Sequence, residues 1–405
     1  MFDSTLALMT TGYAWLPDRR RRSGGKPVRT RLLGKRTVAI HGPEAVRFFY
    51  DESHVHRHGA LPAPVLDTLF GRGAVHTLDG PDHRVRKALF IALLKDRGGL
   101  RSLTGHLNAR WESACEQWVH RGQVVLFEES SLLLTRAVCD WSGIPLADGV
   151  ADETARDHIA MVDGFTSAGP RHMRARRARS RQEARIAELI EATRRGTHTA
   201  PDGSVLQTVA AHRDASGHPL DPHTAAVEVL NVIRPTVAVT WFLTFAAHAL
   251  HRWPEHRKQL ADGDASYARA FAHEVRRFYP FAPFVGGLAA TDLHWDGQDI
   301  PAGSMVLLDL YGQNHDPRLW PDPYTFDPTR FLDREPDRDT LVPQGGGDPA
   351  AHHRCPGEDV TLTVLETLAP RLATLRYDVP DQDLSIPLGR IPTAPRSGFL
   401  MTSVQ

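Results

Sequence analysis

The amino-acid sequence predicts a mainly α fold with small β-sheets, formed as one domain over residues 1–405. Three observations lead there. His83 to Leu94, Leu107 to His120, Ser180 to Arg195, Thr224 to His251 and Tyr267 to Phe278 carry apolar residues three or four apart with polar residues between them, the pattern of a helix with one buried face. Strand-like material is sparse: Arg36 to Ile40, and Val285 to Leu310, where Asp-Gly and Pro-Ala-Gly punctuate short apolar runs. No linker or composition break divides the 405 residues, which favours one large core.

Charge narrows the partners. Lys and Arg number 48, as do Asp and Glu, so no bulk field draws the chain to nucleic acid or to an anionic membrane. Two basic stretches, Arg19 to Arg22 and Arg171 to Arg185, lack interleaved aromatics and read as solvated faces or a partner surface. The most apolar segment, Pro235 to Leu250, runs 16 residues without a formal charge, short for a bilayer span and suited to a buried core helix. Cys115, Cys139 and Cys355 are too few and too widely spaced for a disulfide framework, and the N-terminal residues lack the pattern of a secretory signal. A cytoplasmic protein is expected.

Cys355 lies in PQGGGDPAAHHRCPGEDV, after an irregular Pro- and Asp-rich region that begins at Pro317. A thiolate that binds metal needs backbone amides and positive charge around it. Gly345 to Gly347 permit close backbone approach, His353 and Arg354 offer charge or hydrogen bonds, and Pro356-Gly357 opens a helix whose amides face the sulfur. Taken alone, the segment is equally compatible with a buried, inert cysteine.

Other motifs decide between these. Glu274-Val275-Arg276-Arg277, then Phe326-Asp327-Pro328-Thr329-Arg330-Phe331, then Cys355-Pro356-Gly357 stand in the order and spacing of the cytochrome P-450 superfamily, which the chain resembles over nearly its whole length. The resemblance implies the cytochrome P-450 fold, with haem b held between a long central helix and the cysteine loop, Cys355 as the iron ligand, and Glu274 and Arg277 as a structural pair one helical turn apart.

The departures from the common pattern point further. Asp348 and His353 occupy places where most members have Phe and Arg, and the central helix reads NVIRPTVAVTWF in place of the usual acid-alcohol pair. Arg234 in an apolar helix needs an anion, either a protein carboxylate such as Glu228 or a ligand, and Pro235 should kink or widen the helix. These features resemble the bacterial fatty-acid peroxygenases. That resemblance implies that Arg234-Pro235 binds the substrate carboxylate, which then acts as acid-base toward hydrogen peroxide without a redox partner, and that oxidation falls on the alpha or beta carbon.

Phe70 and His76 match positions lining the pocket near that carboxylate, and a histidine at 76 resembles the alkene-forming decarboxylase of the branch; outside that resemblance a histidine on a Gly-rich loop is usually solvated. Arg57, His83 and Lys87 match contacts to the haem propionates, with a solvated face as the other reading of Lys87, and Gln344 falls near the thiolate. Two further readings stay open: a reductase-dependent monooxygenase acting on a carboxylated secondary metabolite, and a non-catalytic haem carrier.

Overall fold

The computed structural model describes residues 2–405. Helices dominate, and the expected ones form with longer bounds. His83 to Leu94 lies in Gly80–Leu94, Leu107 to His120 mostly in Arg97–Trp118, Ser180 to Arg195 mostly in Pro170–Arg194, and Tyr267 to Phe278 in Ala265–Phe278. Helices at Leu126–Ser142 and Asp148–Asp163 were not anticipated. The first is buried on most sides, which blurs its apolar period.

The described residues hold nine strands: β1 (Val28–Leu32), β2 (Lys35–Ile40), β3 (Val55–His56), β4 (Gln123–Val125), β5 (Phe284–Ala289), β6 (Leu293–Trp295), β7 (Gln298–Ile300), β8 (Met305–Asp309) and β9 (Leu400–Thr402). Five form one sheet in the order β1-β2-β8-β5-β3, antiparallel except for β2 beside β8, where Thr37 pairs with Met305. The apolar runs around Ile40 and Leu308 therefore meet in adjacent strands, and Gly286 and Gly287 allow β5 to lie close to its neighbours.

The central helix runs as Pro222–Val237 and Val239–Arg252. Asp221 caps it by accepting from the Thr224 N–H at 3.0 Å, and Pro222 fits the first turn because its missing N–H would be unpaired there anyway. Pro235 itself stays helical, since proline's fixed φ suits a helix and what it removes is one N–H donor to the turn before it; the one interruption of the helix stands at Ala238, beyond the proline. The span Pro222–Arg252 is 31 residues, long and apolar enough to cross a membrane by length and composition, but 94% of its most apolar window is buried within the fold. It is a core helix, as expected, though longer than its charge-free stretch alone.

The two basic stretches are less solvated than expected. Arg179 is buried, donating to Glu183 and to the Leu69 carbonyl, and Arg171 and Arg181 pair with Asp163 and Asp157. Arg20 reaches Asp309 at 3.0 Å. Exposed arginines remain at Arg174, Arg176, Arg177, Arg21 and Arg22.

Glu274 and Arg277 form the joint that carries the cysteine segment. Both are fully buried, and two guanidinium nitrogens each meet a carboxylate oxygen at 2.6 Å. The remaining donor capacity goes to the carbonyls of Asn314, Pro323 and Thr325, while Glu274 accepts the Asp327 N–H at 2.8 Å. A helix with few exposed polar residues thus fixes a coil that has little regular structure of its own. Arg277→Leu would strand a buried carboxylate at a cost of about 3–5 kcal/mol; urea unfolding should show a lowered midpoint, and an unchanged midpoint would mean the pair is not the joint described.

Candidate active site

Phe70, His76 and Arg234 converge at the first half of the central helix. Arg234 is 5% exposed, and its guanidinium stands 6.0 Å from the centre of the Phe70 ring. Phe70 stacks obliquely on His76, with ring centroids 4.3 Å apart. Arg234, far in sequence from Phe70 and His76, is therefore brought beside them.

Glu228 is not the partner of Arg234. Its carboxylate accepts from Arg86 Nη1 at 2.7 Å, the Val75 N–H at 2.8 Å and Asn231 Nδ2 at 3.3 Å. Burial pushes this carboxyl above its ordinary range, and Arg86 leads the groups that oppose the shift. Asn231 also donates to the Phe70 carbonyl at 2.9 Å, so Glu228 and Asn231 fasten the loop carrying Phe70 and His76 to the central helix. Sequence reasoning missed this role. Arg86, a helix turn from His83, was the available signal.

Arg234 is left with one long hydrogen bond, Nη2 to Asn231 Oδ1 at 3.4 Å, and a buried Nε without a partner. Burial, then the Arg179 guanidinium, draws its pKa down to about 9, which still leaves a cation at neutral pH. His76 is held well below the usual histidine range by burial first and by Arg234 and Lys87 next, so it is neutral, and its Nδ1 is buried without a partner.

Beneath this lies the thiol. The Cys355 N–H donates to the Gln344 carbonyl at 3.2 Å, and Gln344 Nε2 stands 3.7 Å from Sγ. Arg276 Nε donates to Gln344 Oε1 at 3.0 Å and orients that amide. Burial raises the thiol pKa and Glu358 adds to it; the Gly357 N–H, Lys87 and Arg276 pull it down. The expectation that His353 and Arg354 would serve the sulfur is corrected. Arg354 is taken by Glu358 at 2.7 Å and by the Arg338 and Gly347 carbonyls, and the His353 ring stacks on His83 at 3.8 Å. The helix after the cysteine begins at Glu358, with Gly357 as its cap.

Arg57, His83, Lys87 and His353 form a second buried group, in which Arg57 and Lys87 carry the positive charge. Lys87 is 3% exposed, which removes the solvated reading, and its Nζ donates to the Arg354 carbonyl at 2.5 Å. Burial lowers Lys87 to about 8, His83 to about 4 and His353 to about 3, with neighbouring cations adding to each shift. Arg57 lies under Phe49 and Tyr50 and donates to the Gly286 carbonyl. Two carboxylates lie beside the group: Asp79, 3.5 Å from His353 and bound to the backbone N–H groups of Arg57 and His58, and Glu52, 3.8 Å from His83. Neither ring nitrogen of His83 has a hydrogen-bond partner.

Comparison with known proteins agrees with this geometry. The family description "Cytochrome P450" matches residues 261–368. Solved structures of cytochrome P450SP alpha (CYP152B1) superpose with a TM-score of 0.96 at 42% identity, over 100% of this chain and 99% of theirs. The chain belongs to the cytochrome P450 family.

Ligand-free cytochrome P450 OleT superposes on this P450 with a TM-score of 0.97 at 36% identity, covering 100% of this chain and 97% of that one. A phenylalanine-to-alanine variant of OleT has been solved in complex with arachidonic acid. Curated relatives include cyclooctat-9-en-7-ol 5-monooxygenase of Streptomyces melanosporofaciens, 29% identical over 56% of this chain and 53% of that protein. Another is human cytochrome P450 4A11, 29% identical over 40% and 33%. The chain thus matches about half or less of these two relatives' length.

Haem b is the cofactor of this family, and the residues of this P450 fit it. Cys355 offers a sulfur ligand, with Gln344 Nε2 3.7 Å from it and with Lys87 and Arg276 opposing the upward push of burial on its proton. The Arg57, His83, Lys87 and His353 group, in which both ring nitrogens of His83 lack a hydrogen-bond partner, suits a pair of carboxylates such as the propionates. Replacing both His83 and Lys87 by Leu removes a buried ring without a hydrogen-bond partner and a buried ammonium held by one carbonyl, while removing propionate contacts. The His83→Leu/Lys87→Leu protein should melt no lower than wild type without haem yet lose haem more readily on gel filtration. Equal haem retention would place the propionates elsewhere.

Proposed function

We propose that this chain is a haem-thiolate peroxygenase that oxidises fatty acids with hydrogen peroxide. The observation that carries the proposal is the state of Arg234: a buried guanidinium with one long hydrogen bond, whose nearest candidate carboxylate, Glu228, is bound to Arg86 instead. A buried cation left short of an anion is costly unless a ligand supplies the charge. A fatty carboxylate does so, in the bidentate geometry that a guanidinium prefers. The similarity to OleT, a variant of which is solved with arachidonic acid, supports the same substrate class.

Haem, held through Cys355, supplies the oxidising chemistry when bound. The protein's own part is placement. Arg234 holds the carboxylate, and Asn231, fixed by Glu228, holds Arg234. The anchored carboxylate accepts a proton from hydrogen peroxide and returns it to the departing oxygen as water forms, replacing the acid-alcohol pair absent from this helix. With the carboxyl end fixed, the alpha and beta carbons are the ones presented for reaction. Neutral His76, packed on Phe70, touches the same end of the substrate and directs the outcome between hydroxylation and loss of the carboxylate as a terminal alkene. The reading includes the cytoplasm as compartment, supported by Cys115, Cys139 and Cys355 being free thiols.

Purified haem protein given fatty acids and hydrogen peroxide, with no redox partner, should form alpha- or beta-hydroxy acids or terminal alkenes, identified by mass spectrometry. Turnover that appears only when a reductase system is added would replace the peroxygenase reading with a conventional monooxygenase. His76→Gln should lower the alkene share relative to hydroxy acid; an unchanged ratio would remove His76 from control of the outcome.

A further inference from the structure

Nine large apolar side chains stand exposed among the described residues, and five of them, Phe2, Leu6, Met9, Leu33 and Leu388, belong to adjoining segments. The backbone brings those segments together. Asp3 bridges to Arg31, the Leu33 N–H donates to Thr5 Oγ1 at 2.8 Å, the Gly34 N–H to Asp3 Oδ2 at 2.7 Å, and the Tyr13 N–H to the Leu388 carbonyl at 2.9 Å. In the helix Thr5–Thr11, Leu6 and Met9 are three apart and face outward, while Ala7 and Leu8 pack inward beside Trp15.

The tip of the β1–β2 hairpin is informative. Its two central residues, Leu33 and Gly34, both have left-handed φ, 49° and 76°, a turn that favours Asn, Asp or Gly. The other two-residue hairpin of this chain, β6–β7, has Asp296-Gly297 at the same positions. Leu33 is therefore a poor choice for the turn and is 64% exposed. Folding does not explain it; an apolar partner would.

Charge identifies that partner. The first 40 residues contain nine Lys and Arg against Asp3 and Asp18, in a chain whose net charge is zero. Arg20 and Arg21 are paired, but Arg22, Lys26, Lys35 and Arg36 are exposed and have no acidic partner among the described residues. A second copy docking through the same patch would bring like charges together, which disfavours self-association. We propose that this surface docks on an anionic lipid bilayer, with Phe2, Leu6, Met9 and Leu33 entering the headgroup–acyl boundary and Arg22, Lys26, Lys35 and Arg36 meeting the anionic headgroups. The balanced net charge conceals this local asymmetry. The association is peripheral, does not use the Pro222–Arg252 helix, and does not depend on the reaction proposed above.

The test is co-sedimentation of the full-length haem protein with vesicles of phosphatidylcholine alone and of phosphatidylcholine containing phosphatidylglycerol, at low and high salt. Binding should require the anionic lipid, fall with salt, and weaken about tenfold or more in both Leu6→Ser/Leu33→Ser and Lys35→Ser/Arg36→Ser, with circular dichroism and haem content unchanged. Failure to bind anionic vesicles, or equal binding by wild type and both variants, would overturn the proposal. So would a dimer, seen by analytical ultracentrifugation, that Leu6→Ser/Leu33→Ser converts to monomer, because the patch would then serve self-association.

Discussion

A buried arginine without a counter-charge is the constraint around which this site is organised. Arg234 sits in the central helix, walled by Phe70 and His76 and kept from the nearest carboxylate because Glu228 is occupied by Arg86. Three donors on Glu228 make that arrangement rigid. The cost of keeping Arg234 short of a partner is offset by the rest of the core, whose packing holds the helix regardless of what Arg234 binds. On the function proposed above, a carboxylic acid entering the site supplies the missing charge, so affinity and selection for acids would have one physical source.

The opposite face of the site follows similar logic. Arg57, His83, Lys87 and His353 are buried together with Asp79 and Glu52 as the carboxylates beside the two histidines, and at Cys355 the Gly357 N–H, Lys87 and Arg276 oppose the effect of burial and of Glu358 on its proton. Arg276 links the two structural requirements. It orients Gln344 toward the sulfur and pairs with Glu358, which in turn holds Arg354 and so the loop before the ligand. One residue along, Arg277 fixes the coil that delivers this loop. The Glu-x-x-Arg helix thereby supports the ligand on one side and its scaffold on the next.

Much of this was legible in the sequence because the chemistry is carried by residue types that are costly to bury. Arg234-Pro235 within an apolar run, and Cys355 after a glycine run, are conspicuous without coordinates. The helical periods were readable where one face is solvated, and less so at Leu126–Ser142, where burial on most sides removes the alternation. Pairings between distant residues were not readable: Glu228 was a reasonable partner for Arg234 by spacing, and only the packing of Gly80–Leu94 against the loop reveals Arg86 as the competitor. The roles of His353 and Arg354 were misread for the same reason, since proximity in sequence to Cys355 does not fix the direction of a side chain.

The most direct measurement compares equilibrium binding of a fatty acid with that of the alcohol of equal chain length, in wild type and in Arg234→Ala. If Arg234 awaits a carboxylate, wild type should prefer the acid by at least about tenfold, the worth of a charge-assisted hydrogen bond, and Arg234→Ala should lose that preference while keeping haem and its affinity for the alcohol. Undiminished preference for the acid in Arg234→Ala would contradict the account.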